Sequence, residues 1–125
     1  MGLVLELRTG DVMIINGTPI RFRTRSEIEL TERARFLFGK QIMPPAEADS
    51  PARRIYFALQ SAYIGSETER PMGLEAARAL IEEFKEATTS ALAREILDRA
   101  MQSAEHDDCY HALKLARRLI RHEDA

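Results

Sequence analysis

The feature that most limits the choice of fold is a change of pattern at Pro44-Pro45. Before it, short apolar runs alternate with turn residues. After it, apolar residues recur at helical spacing and glycine becomes sparse. Strand-like pattern followed by helix-like pattern, each in its own block, calls for an α+β fold rather than an alternating α/β one. The expectation is a small N-terminal antiparallel β-sheet over residues 1–43 and a C-terminal bundle of about four helices over residues 44–125, together forming a single compact domain. A chain of 125 residues can bury enough apolar surface to do this without metal or disulfide.

Within the first block, Leu3 to Leu7 is an apolar run closed by the turn residues Thr9-Gly10-Asp11. Val12 to Ile15 follows, then Asn16-Gly17, the dipeptide best suited to a type I′ hairpin turn because both central residues need positive φ. A third strand is expected over Thr18 to Arg23. A three-residue loop at Thr24-Arg25-Ser26 would set Arg23 against Glu27 and Arg21 against Glu29, with Phe22 and Ile20 against Ile28 and Leu30. That register puts ion pairs on one face and apolar groups on the other. A fifth strand is expected near Ala34 to Leu37, stopped by Gly39.

In the second block, Ser50-Pro51 is an N-cap and first-turn pair, so a helix should run from Pro51 to about Ile64 and stop at Gly65. Ser66 to Gly73 reads as a polar loop. A second helix should begin near Leu74 and bury Leu74, Ala77, Leu80, Ile81 and Phe84. Thr88-Thr89-Ser90 marks a break, a third helix carries Leu92, Ile96, Leu97, Ala100 and Met101, and Asp107 or Asp108 caps the last one.

Chemistry-bearing constellations are few. His106, Cys109 and His111 are close in sequence, but their spacing matches no zinc pattern, so no metal and no cofactor is expected. There is no G-x-S-x-G elbow, no P-loop and no G-x-G-x-x-G, and Cys109 and His111 would face different directions on a helix. The chain reads as a non-enzyme with no catalytic residues. One cysteine, no basic and apolar leader and no long apolar run point to a cytoplasmic protein without a membrane span.

Charge is unevenly spread. The net charge is -2, but residues 1–45 hold seven Arg or Lys against five Asp or Glu, and residues 46–125 hold eleven against fifteen. A nucleic-acid face should therefore be local and lie in the first half. Arg21, Arg23 and Arg25 share strand parity, and Arg8, Arg33 and Arg35 could join them; arginine forks grip phosphate and stack on unpaired bases. Against this, Glu27 and Glu29 could neutralise Arg21 and Arg23. A second candidate is Arg53-Arg54 with Tyr56, at a helix start that favours anions. Its alternative is an ion pair of either arginine with Glu47 or Asp49. The last helix could present Tyr110, Leu113, Arg117 and Ile120 to a partner helix. Short edge strands are also compatible with a homo-oligomer.

Two stretches carry a resemblance: Gly10-Asp11-Val12-Met13-Ile14-Ile15-Asn16-Gly17, and the longer run from Pro44 through Ser50-Pro51-Ala52-Arg53-Arg54-Ile55-Tyr56-Phe57 to Gln60. Together they resemble the flagellar regulator family FlbT, over essentially the whole chain. The resemblance implies a post-transcriptional regulator that binds the 5′ untranslated leader of flagellin mRNA and controls its translation or stability, usually as a repressor. It also implies a circuit shared with flagellin and the companion protein FlaF. The alternative reading is a protein-binding module or chaperone-like adaptor for flagellin or FlaF that acts on the message indirectly.

Overall fold

The computed structural model describes residues 2–32 and 34–125. The described chain forms five strands, β1 (Leu3–Leu7), β2 (Val12–Ile15), β3 (Thr18–Arg21), β4 (Ser26–Leu30) and β5 (Phe36–Phe38). Four helices follow, α1 (Pro51–Ile64), α2 (Glu69–Ala87), α3 (Ala91–Glu105) and α4 (Cys109–Asp124). The class is α+β, as the block pattern implies. The chain divides into two compact units between Ile42 and Met43, one residue before the expected boundary.

The Asn16-Gly17 turn takes the required conformation, with φ of 48° and 86°, and pairs Ile15 with Thr18 and Val12 with Arg21. The expected hairpin between the third and fourth strands does not form. Instead the strands make two antiparallel sheets, β1-β4 and β3-β2-β5. Leu3, Leu5 and Leu7 lie opposite Leu30, Ile28 and Ser26, so the fourth strand matches its apolar residues to the leucines of the first. The physical reason is a comparison of magnitudes. Exposed cross-strand ion pairs contribute about 0–1 kcal/mol each, whereas burying even part of a leucine side chain contributes on the order of 1 kcal/mol or more. Leu7, Met13 and Leu37 are the fully buried large side chains of this unit.

In the helical unit, α1 packs against α2 and α4, α3 packs against α4, and α2 packs against α3. α1 has the bounds its capping residues imply, with Ser50 Oγ accepting the Arg53 N–H. Its residues Ile55 and Leu59 join Ile81, Leu97 and Leu119 in the core. Gln60 is the one buried polar side chain of the described residues. Its amide accepts from Met43 N at 2.8 Å and donates to Met43 O at 3.0 Å, tying the segment before Pro44-Pro45 onto α1.

The segment expected as a polar loop is largely the first turns of α2, which begins at Glu69 rather than Leu74. Ser66 and Glu69 explain this. Ser66 Oγ accepts from Glu69 N at 3.2 Å, and Glu69 Oε1 accepts from Ser66 N at 3.0 Å, the reciprocal pair of a capping box. Donation to the Glu69 carboxyl from the Ser66 backbone N–H first, and from the Ser66 hydroxyl second, holds it below its ordinary range. Pro71 falls in the first turn, where its missing N–H is tolerated. The break at Thr88 to Ser90 and the Asp108 cap of α4 are as expected. Of the apolar residues carried by α3, Leu92 is 49% exposed.

Candidate nucleic-acid interface

Four of the candidate arginines lie on two segments that meet at one end of the β3-β2-β5 sheet. The turn after β1 and the connection after β3 run side by side there. They are joined by hydrogen bonds from Gly10 N to Phe22 O at 2.7 Å and from Phe22 N to Asp11 O at 2.9 Å. Arg8 lies at the start of the first segment, where its N–H donates to Asp11 Oδ2 at 2.8 Å. Arg21 ends β3, and Arg23 and Arg25 lie on the connection to β4. Only Arg21 is therefore a strand residue, and the shared strand parity expected for the three does not apply.

All four side chains are exposed. Among the described residues, no carboxylate lies within ion-pairing distance of any of them. The topology accounts for this, because Glu27 and Glu29 belong to the β1-β4 sheet and do not face β3. Arg35 is also exposed, but it lies at the opposite end of β2, where its carbonyl accepts from Asn16 N. Arg33 lies outside the described residues.

The candidate group on α1 is arranged differently. Arg53 donates to both Asp124 oxygens, at 3.0 and 2.6 Å, and also reaches Glu123 at 3.4 Å. Glu123 in turn accepts the Ala52 N–H at 3.0 Å, so the anion-favouring start of α1 is filled by the chain's own carboxylate. The partners are thus Glu123 and Asp124, and the expected pairing with Glu47 or Asp49 gives way to this distant one. Tyr56 is only 2% exposed, and its hydroxyl accepts from Arg117 at 2.9 Å, with the guanidinium 5.1 Å from the ring centre. Its ring is not offered to a base. Arg54, in the first turn of α1, is exposed.

The Arg53–Asp124 clasp has a pH signature. The Arg53 hydrogen bonds, reinforced by its charge, hold the Asp124 carboxyl below its ordinary range. A depressed carboxylate supports the folded state fully above its unfolded pKa and loses that support as pH falls through the lower folded value. Lowering the pH below roughly 4 should fray the last turn of α4 while the bundle stays folded. Amide exchange of residues 121–125 reads this directly, and Asp124→Asn should remove the pH dependence. An unchanged exchange pattern down to acid unfolding would show that the clasp does not hold the helix end.

The face of α4 expected to receive a partner is used internally. Leu113 is 3% exposed, Ile120 is half-buried and Arg117 turns inward to Tyr56. Tyr110, 38% exposed, packs on Tyr63 with ring centres 5.7 Å apart and Lys114 above it. The open apolar surface lies elsewhere. Two hollows of about 290 and 440 Å³ run along α1 and α2, share Arg54 and Leu80, and are lined by Phe57, Met72 and Phe84. Neither that groove nor the Ser66–Glu69 cap is among the features the sequence reading picks out. For the cap, the S-x-x-E spacing is a usable signal.

No group of three or more His, Cys, Asp or Glu among the described residues is placed to hold a metal ion. No described helix is long and apolar enough to cross a membrane.

Comparison with known proteins covers the whole molecule. The family described as "Flagellar protein FlbT" matches residues 3–125. A probable flagellum biosynthesis repressor protein FlbT of Caulobacter sp. (strain K31) is 32% identical, over 99% of this chain and 95% of its own. One from Mesorhizobium japonicum is 30% identical over 94% of this chain and 79% of its own. The flagellum biosynthesis repressor protein FlbT of Caulobacter vibrioides is 29% identical over 99% and 88%. No solved structure matches the chain.

Proposed function

Because this chain belongs to the FlbT family of flagellar proteins, we propose that it represses flagellum biosynthesis by binding the 5′ untranslated leader of flagellin mRNA. The regulatory role follows the relatives, whose names describe repressors of flagellum biosynthesis. This is a binding role and not a catalytic one. Direct contact with RNA rests on one observation: Arg8, Arg21, Arg23 and Arg25 are exposed and, among the described residues, without ion-pair partners at one end of a small sheet. Keeping four like charges together costs energy through repulsion, and a phosphate backbone relieves it. Leader RNA also offers unpaired bases on which guanidinium planes stack.

A second reading, favoured by the groove along α1 and α2, makes the helical unit a docking surface for flagellin or FlaF, with the message affected at one remove. Salt separates the two. Binding of the purified protein to a flagellin leader RNA should weaken steeply as salt rises, because each phosphate contact on a single strand contributes about 0.7 to the log–log slope. Salt-insensitive binding, or none until flagellin or FlaF is added, would transfer the function to the groove.

A further inference from the structure

The β1-β4 sheet has only two strands, and two strands alone are marginal in water. In an antiparallel pair each strand turns about half of its N–H and C=O groups away from its neighbour. Among the described residues, no backbone hydrogen bond joins β1 or β4 to any other strand. Both outer edges are therefore open to a further strand. β1 also carries the two most exposed large apolar side chains of the β unit, Leu3 at 49% and Val4 at 54%. They are adjacent, so they lie on opposite faces of the strand. A body packed on one face would cover only one of them. A strand laid alongside covers both.

We propose that β1 is a self-association edge, along which two copies of this chain pair antiparallel to form a four-stranded sheet with strand order β4-β1-β1-β4. This inference is independent of RNA binding.

A two-fold interface needs a strand that complements itself. β1 reads Leu-Val-Leu-Glu-Leu, with its leucines symmetric about Leu5. Centred there, Leu5 meets Leu5 of the second copy, Leu3 meets Leu7, and Val4 meets Glu6. The leucines then extend the apolar face already shared with Ile28 and Leu30. β4 fails the same test. Centred on Ile28, it would set Glu27 against Glu29 of the second copy twice, and like charges directly opposite repel. A β4 edge would add these two pairs to the Glu6–Glu27 pair the sheet already holds, so charge favours β1 as the edge that joins. The register also explains why Val4 is the apolar residue on the otherwise acidic face of Glu6, Glu27 and Glu29.

Sedimentation of the full chain tests this, together with amide exchange of β1 at low and high protein concentration. The wild type should be a dimer whose β1 amides lose protection on dilution. Val4→Glu should weaken the dimer roughly 10-fold by creating two like-charge pairs with Glu6 across the axis, beside one with Glu29 within each copy, with helical circular dichroism unchanged. Val4→Glu combined with Glu6→Lys should restore it, because the new glutamate then meets lysine across the two-fold axis. A monomer at high micromolar concentration, or a dimer indifferent to Val4→Glu, would overturn the proposal. So would a dimer whose β1 amides exchange equally at both concentrations, a readout that needs no variant.

Discussion

Replacing Arg21 and Arg23 together by glutamate should weaken binding to a flagellin leader RNA by roughly 100-fold, at about 1.5 kcal/mol for each charge-assisted hydrogen bond to phosphate removed. The fold should be unaffected, because both side chains are exposed and neither makes an ion pair among the described residues. The salt dependence should also become shallower by about 1.4 in log–log slope, for two single-strand phosphate contacts at about 0.7 each. Arg35→Glu provides the internal control. It is also exposed but lies at the far end of β2, beside the Asn16-Gly17 turn, so its effect should be much smaller. Equal losses from both ends would mean a diffuse electrostatic effect rather than a site. Full affinity in the double variant, with the protein folded, would remove this end of the sheet as the RNA contact.

Gly73→Ala should destabilise the protein even though alanine is the better helix former by about 1 kcal/mol. Gly73 is buried within α2 where that helix crosses α1. A Cβ placed there would lie 2.6 Å from Ala62 N and 2.8 Å from Ala58 O, both backbone atoms that cannot rotate aside. The helices must separate to admit it, and overpacking of this kind costs typically about 1–3 kcal/mol. A net loss of about 1 kcal/mol is expected for alanine and at least ~3 kcal/mol for leucine, since α1 also packs on α4 and cannot shift alone. Urea unfolding followed by circular dichroism measures both. A gain in stability for alanine would show that α1 and α2 can part at little cost.

Local signals in the sequence are reliable where a few neighbouring residues decide the outcome. Ser50-Pro51 and Gly65 bound α1, and Asn16-Gly17 sets its hairpin. The failures share a cause, which is competition from distant residues. Arg21 and Arg23 with Glu27 and Glu29 make a plausible local register, but Leu3, Leu5 and Leu7 prevail from the start of the chain. Arg53 and Tyr56 look like a phosphate and base grip at a helix start, yet Asp124 and Arg117 claim them from α4. No spacing rule within α1 could reveal that. The loop expected over Ser66 to Gly73 fails differently. Its cap is legible, but Pro71 and Gly73 look like helix breakers, when one is tolerated in a first turn and the other is required by the neighbouring helix.

The nested strand order has a consequence for how the β unit comes to be made. Joining β1 to β4 closes a loop from Arg8 to Arg25, which contains the whole β2–β3 hairpin. Closing a flexible segment of that length costs more chain entropy than closing one already shortened by a formed hairpin. The two-residue turn should therefore form before the outer pairing. A substitution at Asn16 or Gly17 should act chiefly on the rate at which β1 finds β4, and less on the rate at which the finished unit comes apart.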